Sequence, residues 1–370
     1  MITKKSSGFS STHLNKSLLV FFKDALRVAI KSPKQAWAFV RTLGWLRQAA
    51  KKRAYWKDQD VLVPPIIIFS ITNECNLNCN GCYAKALHSH IEEELNDEEL
   101  ERIVSEASDL GVSFFVVAGG EPFMRQTLLD ITEKYPEMIF LVFTNGLLID
   151  DFVLDRLTEQ KNVIPLVSLE GFEEETDRRR GEGTYKRVVE LMGQMKQRHM
   201  FFGVSLTLTQ PTMHTLTDFS YVELLVNLGN KFLLYLEYTP VEPETEDLAL
   251  SQEQSEELIR RMESYRKRFP ALFITVPGDE TAEGGCLSSG RGFVHINAKG
   301  DLEPCPFAPF SDVNLKTSSL KEALQSRLLK ELRNHPEELR VEQGGCVLWK
   351  KREWVKSLLH SEESKGHSQS

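Results

Sequence analysis

The segment ITNECNLNCNGCYAK, residues 71–85, places Cys75, Cys79 and Cys82 within eight positions of a 370-residue chain that has only six cysteines. Thiolates at that spacing are placed to hold a metal. The Asn and Gly residues around them suit a polar loop, a poor setting for three small core residues. A closed tetrahedral zinc site needs four ligands, and His88, six positions beyond Cys82, offers a fourth, with His90 behind it. The other reading is an iron–sulfur cluster, in which three thiolates on a cubane leave one iron open, as a catalytic metal requires. A second trio, Cys286, Cys305 and Cys346, lies in the last quarter of the chain.

Composition sets the frame for these groups. Hydrophobic residues make up 41% of the chain, enough for a buried core, and no run approaches eighteen uninterrupted apolar residues. The opening MITKKSSGFSSTHLN lacks the apolar stretch of a secretion signal, so the expected setting is cytoplasmic. In that reducing compartment grouped cysteines point to metal or redox chemistry before disulfides. The formal net charge is -8, yet residues 16–57 hold 11 Lys or Arg against Asp24 alone, so this segment is +10 and the remainder -18. An acidic body argues against nucleic acid as a partner, while the basic segment offers a surface to an anionic one.

Positioning the cysteine loop falls to six apolar runs that alternate with amphipathic segments: residues 66–72, 113–119, 138–144, 163–169, 202–208 and 232–238. Their near-continuous apolar character predicts parallel strands buried on both faces. Helical patterns such as DEELERIVSEASDLG, acidic at its start and closing on Gly111, lie between them. The expected class is α/β, a parallel sheet curved into a partial (β/α)6 TIM-like barrel, with chemistry at the C-terminal strand ends. The cysteine loop, Gly119-Gly120-Glu121-Pro122, Thr144-Asn145-Gly146, and Ser168 with Glu170 all fall at that rim. The expected organisation is a basic helical segment over 1–60, the barrel over 61–245, a connector helix over 246–271, a small module over 272–355 and a disordered tail over 356–370. A hairpin is predicted within GFVHINAKGDLEPC, turning at Ala298-Lys299-Gly300-Asp301.

The three cysteines after a first strand, GGEP after a second and TNG after a third together resemble the core of the radical S-adenosylmethionine superfamily, over roughly residues 64–245. One departure is Gly81 directly before the third cysteine, where the family often has an aromatic; here Tyr83 follows it. The resemblance implies a 4Fe-4S cluster on Cys75, Cys79 and Cys82 whose open iron binds S-adenosylmethionine. It also implies reductive cleavage to a 5′-deoxyadenosyl radical and hydrogen abstraction from an unactivated C–H bond. Electrons would come from an external donor such as flavodoxin or ferredoxin. By the same resemblance Gly119, Gly120 and Glu121 meet the cofactor's ammonium group, Ser168 and Glu170 the ribose, Arg180 the carboxylate and Tyr83 the adenine. A strand-end turn with a solvated Glu121, a strand-terminal Ser168 beside a surface Glu170, and an Arg180 ion pair that steadies a loop are the plainer alternatives. A non-catalytic zinc or iron–sulfur protein on an α/β scaffold is the rival for the whole chain; it has no need of GGEP.

Cys286, Gly300, Cys305 and the distant Cys346 resemble the start of the auxiliary-cluster extension called SPASM, or its shortened form, twitch. The dense middle group of cysteines of the full extension is absent. A second iron–sulfur cluster is expected there, with an open iron or a non-cysteine ligand such as His295; the alternative is that these cysteines bind no metal. Residues 16–50 read as two amphipathic helices broken near Ser32-Pro33, with Leu18, Leu19, Phe22, Ala25, Leu26 and Ala29 on one face and Trp37, Val40, Leu43 and Trp45 on the other helix. Aromatic-rich faces with basic flanks fit the inner face of a membrane, and equally helices packed on the barrel with a basic exterior. Peptide or protein is the substrate class pointed to by the extension, and a membrane lipid the one pointed to by the helices.

Overall fold

The computed structural model describes residues 33–88, 93–277, 285–340 and 346–359, with residues 33–39 described by backbone alone. Nine strands form one sheet: β1 (Ile66–Thr72), β2 (Phe114–Gly119), β3 (Ile139–Thr144), β4 (Val163–Leu169), β5 (Gly203–Leu208), β6 (Phe232–Glu237), β7 (Leu272–Val276), β8 (Phe293–Ile296) and β9 (Leu302–Glu303). Their spatial order is β7-β6-β5-β4-β3-β2-β1-β8-β9. Neighbours from β7 to β8 pair in parallel, and β9 runs antiparallel to β8. The sheet stays open, as in a partial TIM-like barrel. Both faces are buried, as parallel pairing demands. Ile67, Phe69, Phe115, Val117 and Val142 pack outward on the helices. Leu166, Phe232, Leu234 and Leu272 pack together on the opposite, inner face.

β1 to β6 match the six apolar runs to within one residue. The sheet also extends beyond them on both sides. LFITV, expected inside the C-terminal module, is a seventh parallel strand; at five residues it is too short to stand out after the long helix Gln252–Arg268. The predicted hairpin forms as β8 and β9, and its turn is held by Asn297 Oδ1, which accepts from the backbone N–H groups of Lys299 and Asp301. Yet β8 adds to β1, because the open edge of β1 carries unpaired N–H and C=O groups that a strand satisfies. The helix Arg352–Leu359 runs four residues into the segment expected as a tail; residues 360–370 lie outside the described residues.

The basic segment gives one continuous helix, Pro33–Asp58, which starts at the expected break. The preceding helix and the side chain of Trp37 lie outside the described residues. Leu46 is buried and Leu43 half-buried against Ile66, Phe114 and Ile139, the first residues of β1, β2 and β3, so the helix closes the N-terminal end of the barrel. Val40 is 62% exposed and does not share that face. Trp45 lies under the Arg41 guanidinium, 4.6 Å from its ring centre. Arg53 is buried and donates to the carbonyl of Gly111 and, at 2.8 Å, to Ser113 Oγ. Gly111 ends the helix Asp97–Leu110 at φ +94°, and a Cβ there would lie 2.6 Å from the Ala49 carbonyl. The described part of the segment therefore packs on the barrel. Among the described residues no helix is long and apolar enough to cross a membrane. Leu46→Ala is expected to cost about 2–5 kcal/mol, read as a lower denaturation midpoint at an unchanged slope.

Candidate active site

The cysteine loop leaves the C-terminal end of β1 and runs into the short helix Tyr83–His88. Cys75 is exposed, while Cys79 and Cys82 are half-buried. Burial pushes the Cys79 thiol up, and the nearby guanidinium of Arg180, then that of Arg179, pull it back towards the thiolate. Asn76 Oδ1 accepts from Asn145 Nδ2 at 2.8 Å, which ties the loop to the end of β3. Asn145 stands out in the sequence only as part of TNG.

GGEP lies directly beneath this loop. Gly120 N donates to the Thr72 carbonyl at 2.7 Å and Glu121 N to the Glu74 carbonyl at 2.8 Å. A Cβ on Gly119 would lie 2.2 Å from the Thr72 oxygen, and one on Gly120 2.0 Å from the Glu74 oxygen. The close approach the glycines allow is thus to the cysteine loop. Glu121 is buried, not solvated. It accepts from Thr144 Oγ1 at 2.8 Å, from Asn145 N at 2.7 Å and from Phe123 N at 3.2 Å. Burial raises its pKa, and these bonds counter the rise. Three of about four acceptor positions are used, which leaves room for one further donor.

Glu170 and Arg180 pair with each other. Arg180 Nη2 lies 2.6 Å from Glu170 Oε1, and Arg179 Nη1 2.6 Å from Oε2, with Glu170 4% exposed. Arg179 also donates to the carbonyls of Asn80 at 3.1 Å and Gly81 at 3.4 Å, and its own carbonyl accepts from Asn80 N. The helix Glu173–Arg180 is therefore latched to the cysteine loop. Arg179 is a residue of this rim that the motifs do not single out; its signal is the second arginine of DRRRG, nine residues beyond Glu170. Ser168 stands at the end of β4 in register with Ser205 of β5. Tyr83 packs on Phe307 of the C-terminal module, ring centres 5.0 Å apart.

Two further features face the same rim. Tyr238, just past β6, has a buried hydroxyl without a hydrogen-bond partner, and its ring lies against Gly81 of the cysteine loop. An open cleft of about 480 Å³ is lined by residues 78–82, Lys85, Ala86 and Glu242. Inside the barrel, Leu141, Phe143, Leu236 and Ile274 are only partly buried.

The second trio also assembles. Cys286, Cys305 and Cys346 share an apolar cluster with Ala308, Leu328, Leu332 and Leu348. A hydrogen bond with Cys346 and burial push the Cys305 thiol well up. His295 is not with them: its Nε2 lies 2.8 Å from Ser70 Oγ and its Nδ1 2.7 Å from Glu303 Oε2. His88 likewise does not join the first trio. Its ring meets that of His295 edge-on at 5.5 Å. His90 lies outside the described residues.

These residues fit the groups expected at the rim. Three thiolates are the kind of ligand an iron–sulfur cluster takes. The partnerless Tyr238 hydroxyl and the spare acceptor position of Glu121 offer a donor and an acceptor to a polar cofactor beside it.

Residues 69–225 match the family described as Radical SAM superfamily. The part of the chain that carries the first cysteine trio is thus of the radical S-adenosylmethionine superfamily, and the second trio lies beyond the match. It is 28% identical over 221 residues to Fe-coproporphyrin III synthase of Methanosarcina barkeri, a match covering 57% of this chain and 55% of that protein, so that it spans about half of this relative's length. To AdoMet-dependent heme synthase of the same organism it is 23% identical over 313 residues, 76% of this chain and 88% of the relative. Streptococcus suis SuiB bound to precursor peptide SuiA shares the fold, with a TM-score of 0.63 at 16% identity over 78% of this chain and 71% of that one.

Proposed function

We propose that the chain is a cytoplasmic iron–sulfur enzyme that cleaves S-adenosylmethionine reductively and abstracts hydrogen from a C–H bond of a peptide or protein. The observation that carries this reading is the convergence of Cys75, Cys79 and Cys82 with Glu121 and the Glu170–Arg179–Arg180 latch on one rim of the barrel. When bound, the cluster and S-adenosylmethionine supply a 5′-deoxyadenosyl radical from one electron, delivered by a donor such as flavodoxin or ferredoxin. Around it this chain's residues bind and orient. Glu121 keeps one acceptor position towards the rim, Ser168 a hydroxyl, and Tyr238 a donor; the arginines set positive charge beside Cys79. The apolar inner face below the rim excludes water from the reacting region.

In this reading Cys286, Cys305 and Cys346 hold one auxiliary cluster. Peptide is favoured over lipid as substrate because residues 33–58, which hold the second of the two helices on which the lipid reading leaned, close the barrel floor, and because SuiB is a fold neighbour that binds a precursor peptide. An iron porphyrin is a second reading, favoured by the heme synthase that the chain matches over 88% of its length.

The test is anaerobic reconstitution followed by S-adenosylmethionine and dithionite, with 5′-deoxyadenosine measured alone, with a synthetic peptide pool and with Fe-coproporphyrin III. Stimulation by peptide is the expected result; stimulation by the porphyrin alone moves the assignment to the second reading. No 5′-deoxyadenosine in any arm sinks the enzyme proposal. Changing Cys286, Cys305 and Cys346 together to alanine should lower iron from about eight to about four per chain. Unchanged iron would remove the auxiliary cluster from the proposal.

A further inference from the structure

We propose that His88, His295 and Glu303 form a separate mononuclear metal site, of a kind that takes zinc, and that its ion staples the C-terminal module to the helix behind the cysteine loop. The three side chains come from three elements. His88 ends the helix Tyr83–His88, His295 lies in β8 and Glu303 ends β9. They are 7%, 0% and 2% exposed. One ligand atom of each lies within 4.8 Å of the other two, and no other group of His, Cys, Asp or Glu among the described residues does the same.

The surrounding bonds are those that orient metal ligands. Ligating imidazoles ordinarily have their second nitrogen held by a hydrogen bond, and ligating carboxylates are hydrogen-bonded in turn. Here Ser70 Oγ sits 2.8 Å from His295 Nε2, which turns Nδ1 towards Glu303. Asn297 Nδ2 donates to Glu303 Oε1 at 2.7 Å, which leaves Oε2 facing that Nδ1, also at 2.7 Å. His88 Nε2 lies 3.3 Å from the Pro306 carbonyl, and its ring edge meets the His295 ring. Burial keeps His295 in the neutral form that coordinates metals.

The alternative is an ion-free network in which His295 Nδ1–H donates to Glu303. Against it stands the carboxylate's own position. Among the described residues, Glu303 has no Lys or Arg as an ion-pair or hydrogen-bond partner, and burial without a cation pushes its carboxyl up to about 8, so a bound ion is what would hold it ionised. Two imidazoles and one carboxylate are a donor set that zinc takes with water in the fourth place. The position gives the ion a purpose. His88 lies six residues beyond Cys82 and Glu303 two before Cys305, so an ion here would fix the separation of the two cysteine trios. The site stands apart from the proposed reaction, and does not require it.

The test is zinc K-edge absorption spectroscopy on the full chain, anaerobically reconstituted with iron and sulfide, supplied with zinc and washed with chelator. The zinc edge is blind to iron, so the clusters do not obscure it. Expected is about one zinc per chain with nitrogen and oxygen neighbours only, at roughly 2.0–2.2 Å. Glu303→Gln and His88→Gln should each lower zinc at least tenfold while iron stays constant. Sulfur in the zinc shell of the unsubstituted protein, or zinc below a tenth of an equivalent there, overturns the site, as does undiminished zinc in both variants. Because a buried substitution can unfold the module, the shell in the unsubstituted protein decides the question if either variant loses iron. Formation of 5′-deoxyadenosine by the same sample is scored separately, so failure of the metal site and failure of the proposed reaction are told apart.

Discussion

Replacing Cys79 with alanine should remove about four irons per chain and lower 5′-deoxyadenosine formation at least roughly a hundredfold. Cys79 is the middle of the three thiols and the one whose charged form Arg180 and Arg179 favour, which makes it the ligand of the proposed cluster best placed beside positive charge. Its neighbours cannot substitute for it. Asn78 and Asn80 supply no thiolate, and Asn80 is committed through its N–H and carbonyl to Arg179. Cys79→Ser separates shape from chemistry: the hydroxyl fills the same space without the soft sulfur ligand that iron–sulfur clusters require. Both variants should fold, since the residue lies on a half-exposed loop. Iron analysis, electron paramagnetic resonance after dithionite and product chromatography check the expectation. Full activity in the serine variant, or zinc with sulfur neighbours in place of iron and no product in the unsubstituted protein, would contradict the cluster assignment.

Gly120→Ala is the second large effect, and it acts through the backbone. The added methyl would sit 2.0 Å from the Glu74 carbonyl oxygen and 2.6 Å from its carbonyl carbon, where no flexible side chain can give way. Relief requires the GGEP turn and the cysteine loop to part. That breaks the bonds from Gly120 N to Thr72 and from Glu121 N to Glu74, next to Cys75. The expected cost is about 2–4 kcal/mol together with loss of the cluster, because the displaced loop no longer presents its three thiolates on one side. Equilibrium denaturation and iron content measure the two parts. Gly193→Ala, in the helix Thr184–Gln197, is the control: a Cβ there meets nothing within 4 Å, and the change should be neutral or slightly stabilising. Near-native stability and iron in Gly120→Ala would show that the loop yields more easily than its backbone bonds indicate.

Local patterns are legible in the sequence by itself. Buried parallel strands are apolar along their whole length, so β1 to β6 stand out one by one. The helix Asp97–Leu110 announces its ends through the acids of its first turn and through Gly111, and the structure adds the capping box of Asn96 with Glu99. The cysteine spacing raises the expectation of a metal because three thiols on a polar loop have little other use. LFITV does not stand out, because five residues after a long helix carry little periodic signal, and β8 reads as part of a separate module because nothing in its own residues says which edge it will join. Partnership across long separations is what single residues do not reveal. Glu170 and Arg180 each look like a cofactor contact in the sequence; the structure adds that the buried Glu170 carboxylate pairs with the guanidiniums of Arg179 and Arg180. Glu121 reads as a solvated turn or a cofactor ligand; the ends of β2 and β3, brought side by side, make it a buried acceptor for Thr144 and Asn145. Spacing offers His88 as a zinc ligand beside Cys82, and His295 as a cluster ligand beside Cys305. Pairing β8 with β1 sets His295 against Ser70, and His88 and His295 meet beside Glu303. Spacing along the chain reveals which chemistry a residue type can do, whereas strand pairing settles which groups come within about 3 Å of each other, and bonded partners are chosen at that distance.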